Sequence, residues 1–191
     1  MDLKNKTVLF LGSSVTYGSA SGGTSFVDIL GERFGINCIK EAVSGTTLVD
    51  INEKSYISRL KLIGADLKPD LFVCQLSTND AKKKLDIRKI EEAICFILDY
   101  IKNTFACPAV FYTGTYFESK EYSDMIDLLY KLKERYSFHI LDLYHDKDML
   151  NVSEEDYAKY MKDEVHPTLL GYEEWWTPKF VDFIEALHLS L

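Results

Sequence analysis

One serine and two Asp/His pairs are the side chains of this sequence best suited to catalysis. Ser14 lies in the stretch "GSSVTYG", directly after a run of Val, Leu and Phe that is typical of a buried strand. His166 follows Asp163 by three positions, and His145 follows Asp142 by the same spacing. A carboxylate so placed can hold the imidazole Nδ1–H while Nε2 faces a serine hydroxyl. These residue types indicate nucleophilic catalysis, with two competing choices of acid and base.

Amide donors follow two other strand-like runs. Gly45 occurs in "VSGTT" and Asn79 in "LSTND", each directly after an apolar segment. Acyl transfer needs hydrogen-bond donors aimed at the oxyanion that develops in the transition state. A glycine N–H that a ligand can approach closely and an asparagine side-chain amide are suitable donors. Together with the serine and an Asp/His pair, they complete the set that acyl transfer requires.

The loop around Ser14 also permits a phosphate-binding interpretation. A P-loop is excluded, because five residues separate Gly12 from Gly18 and Ser19 stands where the lysine would be. A flavodoxin-like loop remains open at this point, since its Ser and Thr hydroxyls and amides would cradle the phosphate of a flavin. Its function would be binding and not catalysis.

Metal sites and disulfides are not indicated. His139, His145, Asp146 and Asp148 are close in sequence, but they lack the spacing of a zinc or calcium site. We therefore predict no metal. The chain has four cysteines, each isolated in an apolar run, which favours free thiols: Cys38, Cys74, Cys95 and Cys107.

Apolar runs of strand length alternate with helical patterns along the chain. The predicted strands cover residues 7–12, 38–43, 71–76, 109–113 and 139–143. The predicted helices cover residues 25–34, 48–63, 87–105, 118–136 and about 169–189. Strands that alternate with helices form right-handed βαβ units and a parallel sheet covered on both faces. The prediction is an α/β fold, a three-layer α/β/α sandwich with a five-stranded parallel sheet, in which loops at the carboxyl edge bind ligands.

Length and charge limit the classes of function. The chain of 191 residues is predicted to be one domain over residues 1–191, since no linker or repeat divides it. Its net charge of −8 opposes a nucleic-acid surface, which requires clustered Lys and Arg. No apolar stretch has the length of a signal peptide or a membrane span. We expect a cytoplasmic protein that acts on a small molecule.

The serine, glycine, asparagine and histidine motifs occur in an order that resembles the SGNH hydrolases, also called GDSL esterases and lipases. In "GSSVTYG" the resemblance places the nucleophile at Ser14, and it makes the Ser14 amide, Gly45 and Asn79 the oxyanion donors. In "DEVHP" it places the acid at Asp163 and the base at His166. The motifs span residues 12–167, nearly the whole chain. In this family the acid and base come just before the last helix, which favours this pair over the earlier one.

The resemblance also implies a fold and an activity. The family's flavodoxin-like sandwich of five parallel strands agrees with the strand pattern. The implied activity is that of a serine esterase that hydrolyses a carboxylic ester through an acyl-serine intermediate, with no cofactor. Similar proteins cleave acetylated carbohydrates, lysophospholipids, simple esters or acyl thioesters. The sequence shows no apolar lid, which favours a short acyl group such as acetyl, and an acetylated carbohydrate is one candidate substrate.

Two positions depart from the family pattern. Ser13 replaces the aspartate that usually precedes the nucleophile, and Ser77 replaces a glycine two residues before the oxyanion asparagine. Neither change removes a catalytic atom, but both suggest a further alternative, a degenerate hydrolase that binds acylated sugars without turnover. Candidate substrate-binding aromatic residues are Tyr17, Tyr172 and Trp175, with the adjacent Trp176, although aromatic residues at the start of a helix also serve as core.

Overall fold

The fold is built on a five-stranded parallel sheet. The computed structural model describes residues 4–187. The strands are β1 (Thr7–Gly12), β2 (Asn37–Ala42), β3 (Leu71–Gln75), β4 (Ala109–Tyr112) and β5 (His139–Leu141). Their order across the sheet is β2-β1-β3-β4-β5, and every neighbouring pair is parallel. All five predicted strands are present, and the predicted fold class is confirmed.

Helices of very different length connect the strands. The helices are α1 (Ser14–Tyr17), α2 (Phe26–Phe34), α3 (Tyr56–Leu62), α4 (Thr78–Lys82), α5 (Ile87–Tyr100), α6 (Lys120–Lys133), α7 (Lys147–Leu150), α8 (Glu154–Tyr160) and α9 (Thr177–Ala186). A 3-10 turn covers Ser19–Ser21, and π-helical turns cover Ile101–Phe105 and Gly171–Trp176. Five of these, α1, α3, α4, α7 and α8, have seven residues or fewer and are much shorter than the windows in which helical periodicity is visible.

The helix predicted over 48–63 is much shorter in the structure. It begins only at Tyr56, where the Ser55 hydroxyl accepts a hydrogen bond from Ser58 N at 3.2 Å and caps the helix. Residues before it form a loop whose backbone amides at Leu48 and Val49 bind the Asp80 carboxylate instead of helical carbonyls. Leu48 and Val49 of that loop are buried although they are not helical, whereas Ile51 is exposed.

The last predicted helix, 169–189, is divided in the structure. A π-helical turn precedes α9, and at Gly171 an added Cβ would lie 2.0 Å from the Tyr160 carbonyl oxygen. The turn therefore packs directly on the end of α8, which only a glycine allows. Residues 188–189 of the prediction lie outside the described residues.

Alternate residues of each strand enter two separate hydrophobic clusters. Leu9, Phe72 and Phe111 face the cluster that contains buried residues of α3, α5 and α6. Phe10 and Tyr112 face the cluster beneath α2, the Gly171–Trp176 turn and α9. Because both faces are covered, β1, β3 and β4 are buried and largely apolar, as is typical of a parallel sheet, whereas the edge strand β2 is only partly buried.

The carboxyl ends of the strands meet at one edge. Gly12 pairs with Ala42 in β2, and Gln75 pairs with Tyr112 in β4, so these strand ends lie side by side. The loops that carry the candidate catalytic residues leave the sheet at this edge. Among residues 4–187, no helix combines the length and apolar character needed to cross a membrane.

Candidate active site

Ser14 is placed by the tight turn that ends β1. It is the first residue of α1, and it is only 7% exposed. At Gly12 an added Cβ would lie 1.7 Å from Thr16 Oγ1, so the turn folds back closely on the strand. Gly18 ends α1 with φ +90°, a conformation that favours glycine. The sequence between these glycines therefore holds the serine at the sheet edge.

A buried glutamine at the end of β3 holds the turn after β1 in place by hydrogen bonds. Gln75 Oε1 accepts hydrogen bonds from Ser13 N at 2.9 Å and from Thr16 Oγ1 at 2.8 Å. Thr16 Oγ1 also lies 2.6 Å from Tyr112 OH on the adjacent strand. Gln75 and Ser13 are fully buried or nearly so. Ser13, which replaces the expected aspartate, thus has its backbone and hydroxyl directed at a neutral amide oxygen.

His166 approaches Ser14 from a loop after α8. Its Nε2 lies 2.9 Å from Ser14 Oγ, and its Nδ1 lies 2.9 Å and 3.0 Å from the two Asp163 carboxylate oxygens. Lys162 N donates to the His166 carbonyl at 2.8 Å, which closes the loop on itself. Pro167 keeps His166 out of the following helix, as the sequence indicated. The structure brings all three predicted residues together.

The Asp163 carboxylate is held by backbone donors as well as by the imidazole. Its Oδ1 accepts from Val165 N and from His166 N, both at 2.8 Å. Burial acts to raise the pKa of Asp163, but these hydrogen bonds and the imidazole outweigh it and hold that pKa below its usual value. The carboxylate is therefore ionised when it meets the imidazole N–H.

The candidate oxyanion donors Gly45 and Asn79 are connected through Thr46. Asn79 lies in the first turn of α4, and its Nδ2 donates to the Thr46 carbonyl at 2.9 Å. An amide nitrogen carries two hydrogens, so one remains for a ligand. Gly45, the residue before Thr46, is exposed and has φ +78°. The loop after β2 and the start of α4 are thereby fastened together beside the serine.

Two buried charged residues that the sequence analysis missed hold these loops. Asp80 accepts hydrogen bonds from Leu48 N at 2.8 Å and Val49 N at 3.1 Å, and burial raises its pKa. Arg59 from α3 donates to the Gly12 carbonyl at 2.8 Å and to the Glu41 carboxylate at 2.9 Å. Asp80 had one sequence signal, its place directly after Asn79, whereas Arg59 had none.

The competing Asp/His pair forms a contact of its own away from the serine. His145 Nδ1 lies 2.8 Å from Asp142 Oδ2, and the histidine side chain is 56% exposed. The other Asp142 contacts are with Tyr130 OH at 2.8 Å and Thr113 Oγ1 at 3.3 Å. No serine hydroxyl of the described residues is bonded to His145. Both pairs thus have the same local geometry, and only one reaches Ser14.

The three candidate substrate-binding aromatic residues lie in different surroundings. Tyr172 is fully buried, and its hydroxyl donates to the Val15 carbonyl at 2.7 Å, while Trp175 is 9% exposed and stacks on Tyr160. The structure therefore places Tyr172 and Trp175 in the core, together with Trp176, because the π-helical turn directs them towards the sheet. Tyr17, the last residue of α1, is 45% exposed.

A cavity of about 330 Å³ opens in front of the serine. Its wall includes Ser14, Asn79 and His166, and also Phe117, Glu118 and Glu164. Phe117 and Glu118 belong to the loop after β4, a segment that the sequence analysis did not connect with the site. Among the described residues, no group of His, Cys, Asp and Glu has the arrangement of a metal site.

Several donors of the loop after β1 are already used within the protein and are not free to bind a flavin phosphate. Ser13 N and the Thr16 hydroxyl are already bonded to Gln75. The amides of Tyr17 and Gly18 donate to the carbonyls of Ser13 and Ser14 at 2.9 Å. A phosphate cradle needs such donors unsatisfied. The contacts around this loop therefore favour the nucleophile interpretation.

Solved structures with the same fold come from several bacteria. A protein from Lactobacillus plantarum superposes with a TM-score of 0.82 at 19% identity, over 97% of this chain and 99% of that one. A member of the lipolytic protein G-D-S-L family from Veillonella parvula gives 0.75 at 13%, over 94% and 98%. An acetylxylan esterase from Geobacillus stearothermophilus gives 0.71 at 17%, over 96% of each chain. At these identities the likeness concerns the fold alone.

A search of curated proteins gives no match. The family model described as the GDSL-like lipase/acylhydrolase family matches residues 10–174, which include every candidate catalytic and oxyanion residue. That match covers well over half of the chain. The chain therefore belongs to the GDSL-like lipase/acylhydrolase family, the SGNH hydrolases that its sequence motifs resemble.

Proposed function

We propose that this protein is a serine esterase that hydrolyses a carboxylic ester of a short acyl group such as acetyl. The observation that carries the proposal is the chain of contacts from Asp163 through His166 to Ser14, with 2.9 Å between His166 Nε2 and Ser14 Oγ. That is the geometry of a nucleophile bonded to its base, with the base oriented by a third group.

In the proposed reaction Ser14 Oγ attacks the ester carbonyl carbon while His166 Nε2 takes the hydroxyl proton. Asp163 holds the imidazole in the required tautomer and stabilises the imidazolium. The alcohol leaves with the proton from His166, and an acyl-serine remains. Water then attacks the acyl-serine with His166 again as the base, which releases the acid and restores the serine.

The oxyanion of each tetrahedral intermediate would accept hydrogen bonds from the Ser14 and Gly45 backbone amides and from Asn79 Nδ2. Three features support this assignment. Asn79 lines the cavity beside Ser14, its amide has one hydrogen to spare, and its other hydrogen holds the loop that contains Gly45. Such donors contribute most when they are already oriented before the reaction.

The cavity in front of the serine supports a short acyl group. Its wall carries Lys82, Lys84, Glu118, Glu121 and Glu164, and few apolar side chains. A long acyl chain would need a continuous apolar cleft, because burial of its methylenes against charged groups yields little free energy. An acetyl ester fits this wall, and the acetylxylan esterase of the same fold is in keeping with it.

Labelling with a fluorophosphonate probe tests the proposal directly. We expect one mole of probe per mole of protein, attached at Ser14, with labelling abolished in Ser14→Ala. The control variant Ser19→Ala removes a hydroxyl of the same loop that bonds to Ser44 Oγ at 2.7 Å, and it should label fully. Full labelling of Ser14 would also oppose the degenerate-hydrolase alternative, whereas no labelling, or labelling at another residue, would contradict the proposal.

A further inference from the structure

A second cavity, of about 490 Å³, shares a wall with the cavity in front of Ser14. Phe117, Glu118 and Glu164 line both. The second cavity extends from this wall towards Tyr116 in the loop after β4 and Tyr157 in α8. A molecule that occupies both cavities would therefore lie across Phe117, with one end at the serine and the other in the second cavity.

The second cavity is lined by negative charge without compensation. Glu118, Glu154 and Glu164 line it, and no Lys, Arg or His of the described residues does. These three carboxylates form no ion pair within the described part of the chain. By contrast, the neighbouring Glu121 pairs with Lys84 at 3.6 Å, and Glu155 pairs with Lys159 at 3.2 Å. Three unpaired carboxylates around one cavity attract a cation and repel an anion.

Aromatic rings and a buried hydroxyl accompany the carboxylates. Tyr116, Phe117 and Tyr157 line the cavity, and Tyr116 is 50% exposed. Thr115 also lines it, is only 3% exposed, and its hydroxyl has no hydrogen-bond partner in the described structure. A buried hydroxyl without a partner is uncommon and marks a place where a ligand's polar group can bind. Aromatic rings beside carboxylates are the usual surroundings of an ammonium group.

One of the three carboxylates, Glu164, also acts on the neighbouring Tyr157. Burial raises the pKa of the Tyr157 hydroxyl, and the negative charges of Glu164 and Asp163 raise it further. The phenolate is disfavoured because it would be a further negative charge. The same field favours a positive charge in the cavity.

We propose that the second cavity binds a positively charged nitrogen in the alcohol part of the ester, as in an acetylated amino alcohol or amino sugar. This inference rests on the proposed esterase function for the position of the ester bond. The alcohol part is assigned to this side because Glu164 belongs to the same loop as His166, which gives its proton to the departing alcohol. The acyl group then occupies the cavity beside Asn79.

The charges distinguish this class of substrate from two others. Acyl esters that carry phosphate, and thioesters of phosphorylated carriers, would place an anion against three carboxylates. A neutral sugar would gain hydrogen bonds but nothing from the net charge of the cavity. Only a cationic alcohol uses both the carboxylates and the rings.

Two esters of the same shape provide the test: acetylcholine and its neutral carbon analogue 3,3-dimethylbutyl acetate. We expect kcat/KM for acetylcholine to be about tenfold higher than for 3,3-dimethylbutyl acetate. The difference combines a modest contribution from the aromatic rings with contributions from several exposed carboxylates. Glu154→Gln should lower that preference about threefold. The matched control is Glu155→Gln, which removes the adjacent charge from the same first turn of α8 but lies outside the cavity.

A binding measurement keeps this inference separate from the esterase proposal. Calorimetry with choline and 3,3-dimethylbutanol should show tighter binding of choline in the wild type and in Glu155→Gln, but a reduced difference in Glu154→Gln. If no ester is hydrolysed but this pattern holds, the cation site stands and the esterase proposal fails. Equal binding of the two alcohols, or a higher kcat/KM for 3,3-dimethylbutyl acetate or acetylated xylobiose than for acetylcholine, would overturn the inference.

Discussion

His166 Nε2 lies 2.9 Å from Ser14 Oγ, although 152 positions of the chain separate the two residues. The contact joins the first turn after β1 to the loop before the last helix. His145 has an equally good contact with its own aspartate but no serine to act on. The contact with a serine hydroxyl is the difference that bears on catalysis, and it can be tested.

Replacement of each histidine by alanine separates the two pairs. His166→Ala should lower kcat/KM for p-nitrophenyl acetate by about 10²–10⁴-fold, because the serine loses its general base. His145→Ala should leave kcat/KM unchanged, since its imidazole is exposed and bonded only to Asp142. Steady-state hydrolysis followed at 405 nm is the measurement. Loss of activity in His145→Ala with retention in His166→Ala would refute the proposed base.

Asn79→Ala tests the oxyanion donor. We expect kcat to fall by about 10²–10³-fold, the usual effect of removing one such donor. Asn151→Ala is the matched control, because Asn151 Nδ2 also donates to a backbone carbonyl, that of Lys147 at 2.7 Å, but at an exposed site. Each variant loses one hydrogen bond, so their thermal stabilities should be similar. Equal values of kcat in the two variants would remove Asn79 from the proposed mechanism.

Gln75→Met tests whether the glutamine positions the serine turn. The variant keeps a similar volume but leaves Ser13 N and the Thr16 hydroxyl without their acceptor. We expect a lower kcat with little change in KM, since Ser14 is displaced while the rest of the cavity wall keeps its position. Cys74→Ala controls for lost stability alone, because Cys74 packs in the cluster on the opposite face of the sheet. A fall in melting temperature without a fall in kcat would show that Gln75 is merely structural.

Asp163 should make stability depend on acid pH. Its pKa in the folded protein is below the ordinary 3.8. The ionised carboxylate therefore stabilises the fold above the ordinary pKa, and that stabilisation is lost as pH falls through the folded pKa. The variant Asp163→Asn lacks the stabilisation from the ionised carboxylate at every pH. Melting temperatures between pH 5 and pH 2 should show a gap between wild type and variant that narrows with acidity; a constant gap would contradict this.

The fold was predictable because the strands are buried on both faces. Each apolar run marked one strand, and the errors were confined to ends such as Leu143, which is buried after β5 has already ended. The catalytic motifs were predictable for a related reason. Loops after parallel strands share one edge, and Pro167 kept His166 out of the helix.

The contacts that support the site were not predictable from local sequence. Gln75 and Arg59 lie within elements whose pattern is dominated by apolar neighbours. Their contacts with the turn before Ser14 span 62 positions from Gln75 to Ser13 and 47 positions from Arg59 to Gly12. The same limit explains Tyr172 and Trp175. The sequence analysis left both substrate binding and a core position open for them, and the π-helical turn at Gly171 places both rings in the core.

The loop that carries Asp163 and His166 is closed by its own backbone. Lys162 N donates to the His166 carbonyl and Thr168 N to the Tyr160 carbonyl, both at 2.8 Å. Acid and base therefore lie in one closed loop, and Met161 and Val165 of this segment pack in the same hydrophobic cluster as Tyr172 and Trp176. Looser packing there would move the His166 imidazole away from Ser14, while the contact between His166 and Asp163, which lies within the loop, would be kept. Substitutions in this hydrophobic cluster would thus lower the activity of Ser14 while the contact between Asp163 and His166 is retained. The proton signal of the imidazole would then still be observed in a variant that has lost activity.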